Sequence, residues 1–146
     1  MVGVGEMAVR VGIDLVRVST VAQAVRDHGE RYLRRIYTDG ELHDCHAAVS
    51  DTLDGVATER LAARFAAKEA ALKVLRPAGD AIPWRDIELV RQPAGWVELR
   101  LAGRAAAAAV AQGLDDFAVS ISHEHDYATA VVAAECGPKK MRTASR

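Results

Sequence analysis

Aromatic residues make up only 5% of this 146-residue chain, which also holds just four prolines and two cysteines. Cys45 and Cys136 lie far apart without ligand spacing. That excludes a dense disulfide framework and is the pattern of reduced thiols in a cytoplasmic protein. No apolar run nears the ~20 residues that span a bilayer, and Met1 to Ala8 lacks the charged and apolar regions of a signal peptide. A cytoplasmic protein without a membrane partner is therefore expected. Excess charge is missing too: the formal net charge is −1, so no global field favours a nucleic-acid partner. Half of the residues are hydrophobic and Ala is abundant. One domain over residues 1–136 is expected, followed by a disordered, basic and polar tail over 137–146.

The β-branched alternation of Val9 to Val18 predicts a strand that ends near Asp14 to Val16. Ser19 or Thr20 is placed to cap a helix running to about Asp27, which Gly29 interrupts before a basic segment with Arg31, Arg34 and Arg35. Thr38 and Glu41 have capping-box spacing, and Ser50 to Gly55 reads as a polar loop. A long helix is predicted from roughly Ala57 to Leu75, stopped by Pro77 and Gly79. Asp86 to Arg91 and Trp96 to Leu101 flank Pro93-Ala94-Gly95 as a hairpin, and Gly103 to Gln112 is a small Ala-rich helix. Phe117 to Ser122 and Tyr127 to Ala133 give a second hairpin around His123 to Asp126. The order of elements is α+β: a strand and helices, then two hairpins that form a small antiparallel sheet.

Three clusters could carry chemistry. Asp14 sits in the otherwise apolar run Val11 to Val16, where a helix cap or an ion-pair partner is the structural alternative. On a helical wheel, Leu61, Phe65, Leu72 and Leu75 share one face, bordered by Lys68 on one side and by Glu69 and Lys73 on the other. Charge beside a buried stripe is costly without a partner, although an ordinary i,i+4 Glu–Lys pair is the plainer reading. The third cluster, Ser120 to Asp126, holds two histidines but lacks the three or four convergent ligands of a zinc site. No serine-hydrolase elbow and no Walker motif occur. If Asp14 and Glu69 converge, two carboxylates suit Mg²⁺, and Lys73, Lys68 and Arg64 would add phosphate-seeking charge around a pyrophosphate.

Two motifs, Val11-Gly12-Ile13-Asp14 and Arg64-Phe65-Ala66-Ala67-Lys68-Glu69-Ala70-Ala71-Leu72-Lys73, resemble those of the holo-(acyl-carrier-protein) synthases, the short 4′-phosphopantetheinyl transferases. Tyr37 to Leu42, Trp84 to Glu88 and Val119 to Glu124 extend the resemblance in order from about Val9 to Ala134. It implies the phosphopantetheinyl transferase fold and transfer of 4′-phosphopantetheine from coenzyme A to a serine of an apo acyl carrier protein, releasing 3′,5′-ADP. It also implies Mg²⁺ on Asp14 and Glu69, and a catalytic set of Glu69, Lys73 and Asp14. Arg64, Lys68, Lys73, Ser122 and His123 are the implied coenzyme A contacts. Either Glu69 or a metal-activated water would be general base. Longer relatives contain two similar halves with the site between them, whereas this chain holds one lysine–glutamate motif. A homotrimer is therefore expected, with His123 and the Glu69 helix meeting at or near a subunit interface.

The chain departs from the family after Lys73, where Val74 to Pro83 has one Gly and two prolines in place of a Gly-rich turn, and Arg76 is a further candidate phosphate contact. In the first hairpin the family's Gly-x-Pro is replaced by Gly95-Trp96-Val97, read as a structural change. Arg17, Arg26, Arg31, Arg34 and Arg35 are candidates for holding an acidic carrier. Competing readings are a non-catalytic coenzyme A-binding trimer and a Mg²⁺-dependent hydrolase of the coenzyme A pyrophosphate. Glu69→Gln and Asp14→Asn should each abolish Mg²⁺-dependent turnover while circular dichroism shows the fold retained. Near-normal rates in either variant would refute a two-carboxylate metal site.

Overall fold

In the computed structural model, which describes residues 7–47 and 53–137, the first strand β1 spans Ala8–Arg17. It ends one residue beyond the expected range of Asp14 to Val16, because every residue to Arg17 pairs antiparallel with the last strand, β5 (Tyr127–Cys136). Helix α1 follows at once, over Val18–Ile36. Ser19 and Thr20 lie inside it and cap nothing; Val18 N donates instead to Asp126 O at 2.9 Å. Gly29 breaks the helical path with φ 52° and ψ −133°. Helix nevertheless resumes through the basic segment, since Leu33 and Ile36 join Val21 and Val25 in the core.

Helix α2 (Asp39–Asp44) starts on the expected capping box: Glu41 N donates to Thr38 Oγ1 at 3.2 Å and Thr38 N to Glu41 Oε2 at 2.9 Å. Half of the expected polar loop, residues 50–52, and nearly all of the expected tail lie outside the described residues. The loop's end caps helix α3 (Gly55–Leu75), with Ala57 N donating to Asp54 Oδ1 at 2.7 Å. Past Leu75, Arg76 turns left-handed at φ 44°, one residue before the expected stop at Pro77. Arg10 and Gln112 tie down the helix's last carbonyls, Arg10 Nη1 donating to Val74 O at 3.0 Å and Gln112 Nε2 to Leu75 O.

Helix α3 corrects the single-stripe expectation. Its Ala62, Ala66, Ala67, Ala70 and Ala71 are fully buried, whereas Phe65 and Leu72 are only partly so. The helix is central, with β1 and β5 on one side and α1, α2 and strand β2 (Ile87–Arg91) on others. Small residues on several faces allow that crowding.

Strand β2 pairs with β3 (Val97–Leu101); helix α4 (Gly103–Ala111) leads to β4 (Leu114–Glu124), which turns tightly through His125 and Asp126 into β5. The sequence places the two hairpins in one small antiparallel sheet, but they do not share one. Strand order is β1-β5-β4 in a three-stranded sheet, with β2-β3 separate. The first strand, distant in sequence, claims the free edge of β5 instead.

β1 is inverted relative to a common strand. Its inward positions are Arg10, Gly12, Asp14 and Val16, and its outward row is Val9, Val11, Ile13 and Leu15, each more than half exposed. Gly12 is where α3 crosses. A Cβ there would overlap the carbonyl oxygen of Ala70 and lie 3.1 Å from both Lys73 Cβ and Val74 Cγ2. Helix backbone cannot yield as a side chain tip can. Gly12→Ala should therefore lower stability by about 3 kcal/mol, the upper range for forced overpacking. Urea unfolding checks this; an unchanged midpoint would show that the contact is looser than described.

Candidate active site

Close approach at Gly12 brings the two sequence motifs together. Two residues on, Asp14 faces α3, and Lys73 Nζ donates to Asp14 Oδ1 at 3.2 Å and to Ile13 O at 2.7 Å. Asp14 O accepts from Thr129 Oγ1 at 2.8 Å, which fastens this part of β1 to β5. Glu69 is one turn before Lys73. Burial raises its carboxyl above the usual range, the charge of Asp14 adds to the rise, and Lys73 opposes it. Asp14, Glu69 and Lys73 thus form one partly exposed electrostatic cluster. Among the described residues no group of three or more His, Cys, Asp or Glu is arranged to hold a metal. Two carboxylates remain, which suits a cation that keeps waters and phosphate oxygens as its other ligands.

Lys68 does not join them. It is fully buried on another side of α3, with Nζ 2.8 Å from Glu41 Oε2. Its remaining protons go to Trp84 O, at 3.1 Å, and to Ile87 O. An ammonium has three donors, and three acceptors meet them. Burial lowers the lysine's proton affinity, and Glu41 works against that. The expectation of Lys68 as a coenzyme contact is corrected on this ground: no proton is left for a ligand, and no surface is exposed to one.

Arg64 and His123 meet elsewhere, at a cavity of about 450 Å³ between the first half of α3, the β2-β3 turn and β4. Arg64 is 4% exposed, yet its Nε has no hydrogen-bond partner. Its other contacts are long, 3.9 Å to Asp44 Oδ2 and 3.4 Å to Arg60 O. His123 Nδ1 lies 3.2 Å from Glu59 Oε2. Ser122, by strand alternation, turns to the opposite side of the sheet from His123 and is exposed. Arg76 is exposed beyond the end of α3. Glu59 and Glu69 are ten positions apart on α3, roughly 15 Å along its axis. The expected site residues therefore fall into two groups within one chain, on different sides of α3: Arg64 is five positions before Glu69 and turned roughly 140° from it.

Comparison with known proteins bears on this arrangement. Residues 10–132 match the model of the 4′-phosphopantetheinyl transferase superfamily. A holo-[acyl-carrier-protein] synthase of Koribacter versatilis is 38% identical over 130 residues, covering 88% of this chain and 99% of the relative. The chain belongs to the holo-(acyl-carrier-protein) synthase family. Among solved family members, the ACPS–CoA complex of Chronobacterium ammoniagenes superposes with a TM-score of 0.74 at 29% identity, covering 88% of this chain and 98% of that one. A Bacillus anthracis holo-(acyl-carrier-protein) synthase in complex with CoA (3′,5′-ADP) gives 0.69 at 26% identity, with 90% and 99% covered.

Four residues around the cavity of this synthase-family chain escaped sequence reasoning. Arg60 precedes Arg64 by one helical turn, and that i,i+4 spacing was a readable signal. Glu59 as partner of His123, and Arg91 and Trp96 as cavity walls, depend on where the β2-β3 hairpin folds back, which no local pattern states. Lys68→Met would leave Glu41 buried and unpaired, and should cost about 3–5 kcal/mol in urea unfolding. Lys68→Met with Glu41→Gln should recover most of that loss, because the amide oxygen still accepts from Leu89 N, as Glu41 Oε1 does at 3.0 Å. A loss of 3′,5′-ADP affinity in folded Lys68→Met, without a loss of stability, would restore it as a ligand contact.

Proposed function

We propose that this chain transfers 4′-phosphopantetheine from coenzyme A to a serine of an apo acyl carrier protein, releasing 3′,5′-ADP. The observation that carries the reading is the cluster of Asp14, Glu69 and Lys73 at the β1–α3 crossing, in a chain whose solved relatives hold coenzyme A. Asp14 and Glu69 would hold Mg²⁺, which when bound neutralises pyrophosphate charge and polarises its oxygens.

The remaining roles belong to the chain's own residues. The serine oxygen attacks the phosphorus that bears pantetheine, and the bond from that phosphorus to the bridging oxygen breaks. The bridging electrons leave with 3′,5′-ADP. Lys73, more than half exposed and only loosely paired, meets the charge gathering on that phosphate. The serine proton passes to Glu69 or to a metal-activated water. The orphan Nε of Arg64, with Arg60, Arg91 and His123 around the same cavity, fits the phosphate groups of the nucleotide end.

Two features support a homotrimer. Val9, Val11, Ile13 and Leu15 form an apolar row that no described residue covers, too continuous for a solvated strand. Furthermore, Arg64 and Glu69 are five positions apart and turned roughly 140° from one another around α3, so the Asp14 and Arg64 groups open on different sides of the helix, and one extended ligand is more readily reached from both when they come from neighbouring copies. Lys68 is left out of the coenzyme contacts, and Ser122, on the outer sheet face, is assigned to the side presented to a neighbouring copy.

Incubation with apo carrier protein, coenzyme A and Mg²⁺ tests the whole reading. A carrier mass gain of one phosphopantetheine is expected. Cleaved coenzyme A with unmodified carrier would instead identify a hydrolase, and binding without turnover a silent module. Glu69→Gln and His123→Ala chains, each inactive alone, should regain activity when refolded together. At equal mixing about a quarter of the interfaces would pair two intact halves. No recovery would place both groups in one protomer's site.

A further inference from the structure

The β2-β3 turn holds a large aromatic side chain that stacks on no ring among the described residues. Trp96 is 61% exposed, although its backbone is fixed: Gln92 N donates to Trp96 O and Gly95 N to Gln92 O, both at 2.8 Å. Gly95 takes φ 103°, a conformation that suits glycine and sets the direction of the next residue. The other tryptophan, Trp84, is half-buried against the core, tilted against Phe65 with centroids 5.2 Å apart. Trp96 instead lines the cavity that Arg64 and His123 enter.

That cavity has two kinds of wall. Arg60, Arg64, Arg91 and His123 supply positive or donor groups, and the buried Arg64 has a guanidinium proton without an acceptor. Trp96, beside Val97, Val119 and Ile121, supplies flat and apolar surface. A ligand suited to both has an anionic group joined to a flat, weakly polar ring, which is the chemistry of a purine nucleoside phosphate. Neither wall alone would choose it: the arginines would take any phosphate, and the indole any ring.

We propose that Trp96 is a specificity-determining residue that stacks on the adenine of coenzyme A, while the arginines of the same cavity take the nucleotide's phosphates. The proposal rests on the coenzyme A reading above and adds what selects the nucleoside. Its place on a pinned turn fixes the direction in which the side chain leaves the backbone, beside the cavity. Stacking of this kind binds substrate and transition state alike, so it acts on substrate affinity and leaves the chemical step alone.

The test uses the full chain carrying Trp84→Phe, in which Trp96 is the sole tryptophan, and titrates it with 3′,5′-ADP. Quenching or a spectral shift of Trp96 emission at saturation is expected, and 4′-phosphopantetheine, which has no ring, should give none. In the otherwise unaltered chain, Trp96→Ala should weaken 3′,5′-ADP about ten-fold, within the range for losing one base–aromatic stack. Trp96→Phe should lose less. KM for coenzyme A should rise by a similar factor with kcat kept. Unchanged 3′,5′-ADP affinity in Trp96→Ala, measured calorimetrically on a chain that still transfers, would overturn the proposal and leave the transferase reading intact. Quenching and weakened affinity in a chain that fails to modify any carrier would sink the transferase reading and leave this one standing.

Discussion

Everything in this structure is arranged around one contact without a side chain. At Gly12 the strand β1 lies against the backbone of α3 so closely that a single Cβ would overlap Ala70 O. Because the strand has a period of two, fixing Gly12 inward also fixes Asp14 inward. Because the helix has its own period, meeting β1 at Ala70 sets Glu69 and Lys73 beside the crossing. Neither motif makes a site alone. The glycine brings one carboxylate from a strand to the carboxylate and ammonium of a helix, close enough for their charges to act on one another. Arg10, two residues before, bonds Val74 O and so fixes the crossing from the other side.

The same parity explains the odd surface of the strand. Giving the inward row to Arg10, Gly12, Asp14 and Val16 leaves the outward row to Val9, Val11, Ile13 and Leu15. A strand that spends its buried side on a polar site must find another use for its apolar side. Covering that side with a second copy removes the apolar area from water. On this reading chemistry and assembly are two faces of one strand, joined by the two-residue period. A one-residue slip of β1 against α3 would undo both.

The readable parts of the fold were those written locally. The Thr38–Glu41 capping box, the Pro93-Ala94-Gly95 turn and the length of α3 rest on neighbouring residues, and the structure has each. The pairing of Asp14, Glu69 and Lys73 was readable through two motifs whose residues share a chemistry. What failed was non-local. Two hairpins gave no sign that β1 would take the edge of β5 and leave β2-β3 as a sheet by itself. Leu61, Phe65, Leu72 and Leu75 suggested one apolar stripe, but it is the alanines that reveal how α3 is packed, because small residues allow neighbours on several sides. Trp96 reads in the sequence as a structural replacement, whereas its turn borders the cavity of Arg64.

Lys68 and Lys73 show why residue type alone cannot assign a role. Both follow the same Ala-rich rhythm, five positions apart on one helix, which turns them to different sides. One side faces Glu41, Trp84 O and Ile87 O, a complete acceptor set in the interior. The other faces Ile13 O and Asp14 at a surface open to ligand. A buried ammonium without that acceptor set would not stay charged, and one with it has nothing left to offer a phosphate. The first lysine therefore joins α3 to α2 and to the start of β2, holding the helix in place. The second keeps its charge where a substrate can reach it. The capping box that starts α2 also presents Glu41 to Lys68, so a motif read as purely local supports the helix that carries Glu69 and Lys73.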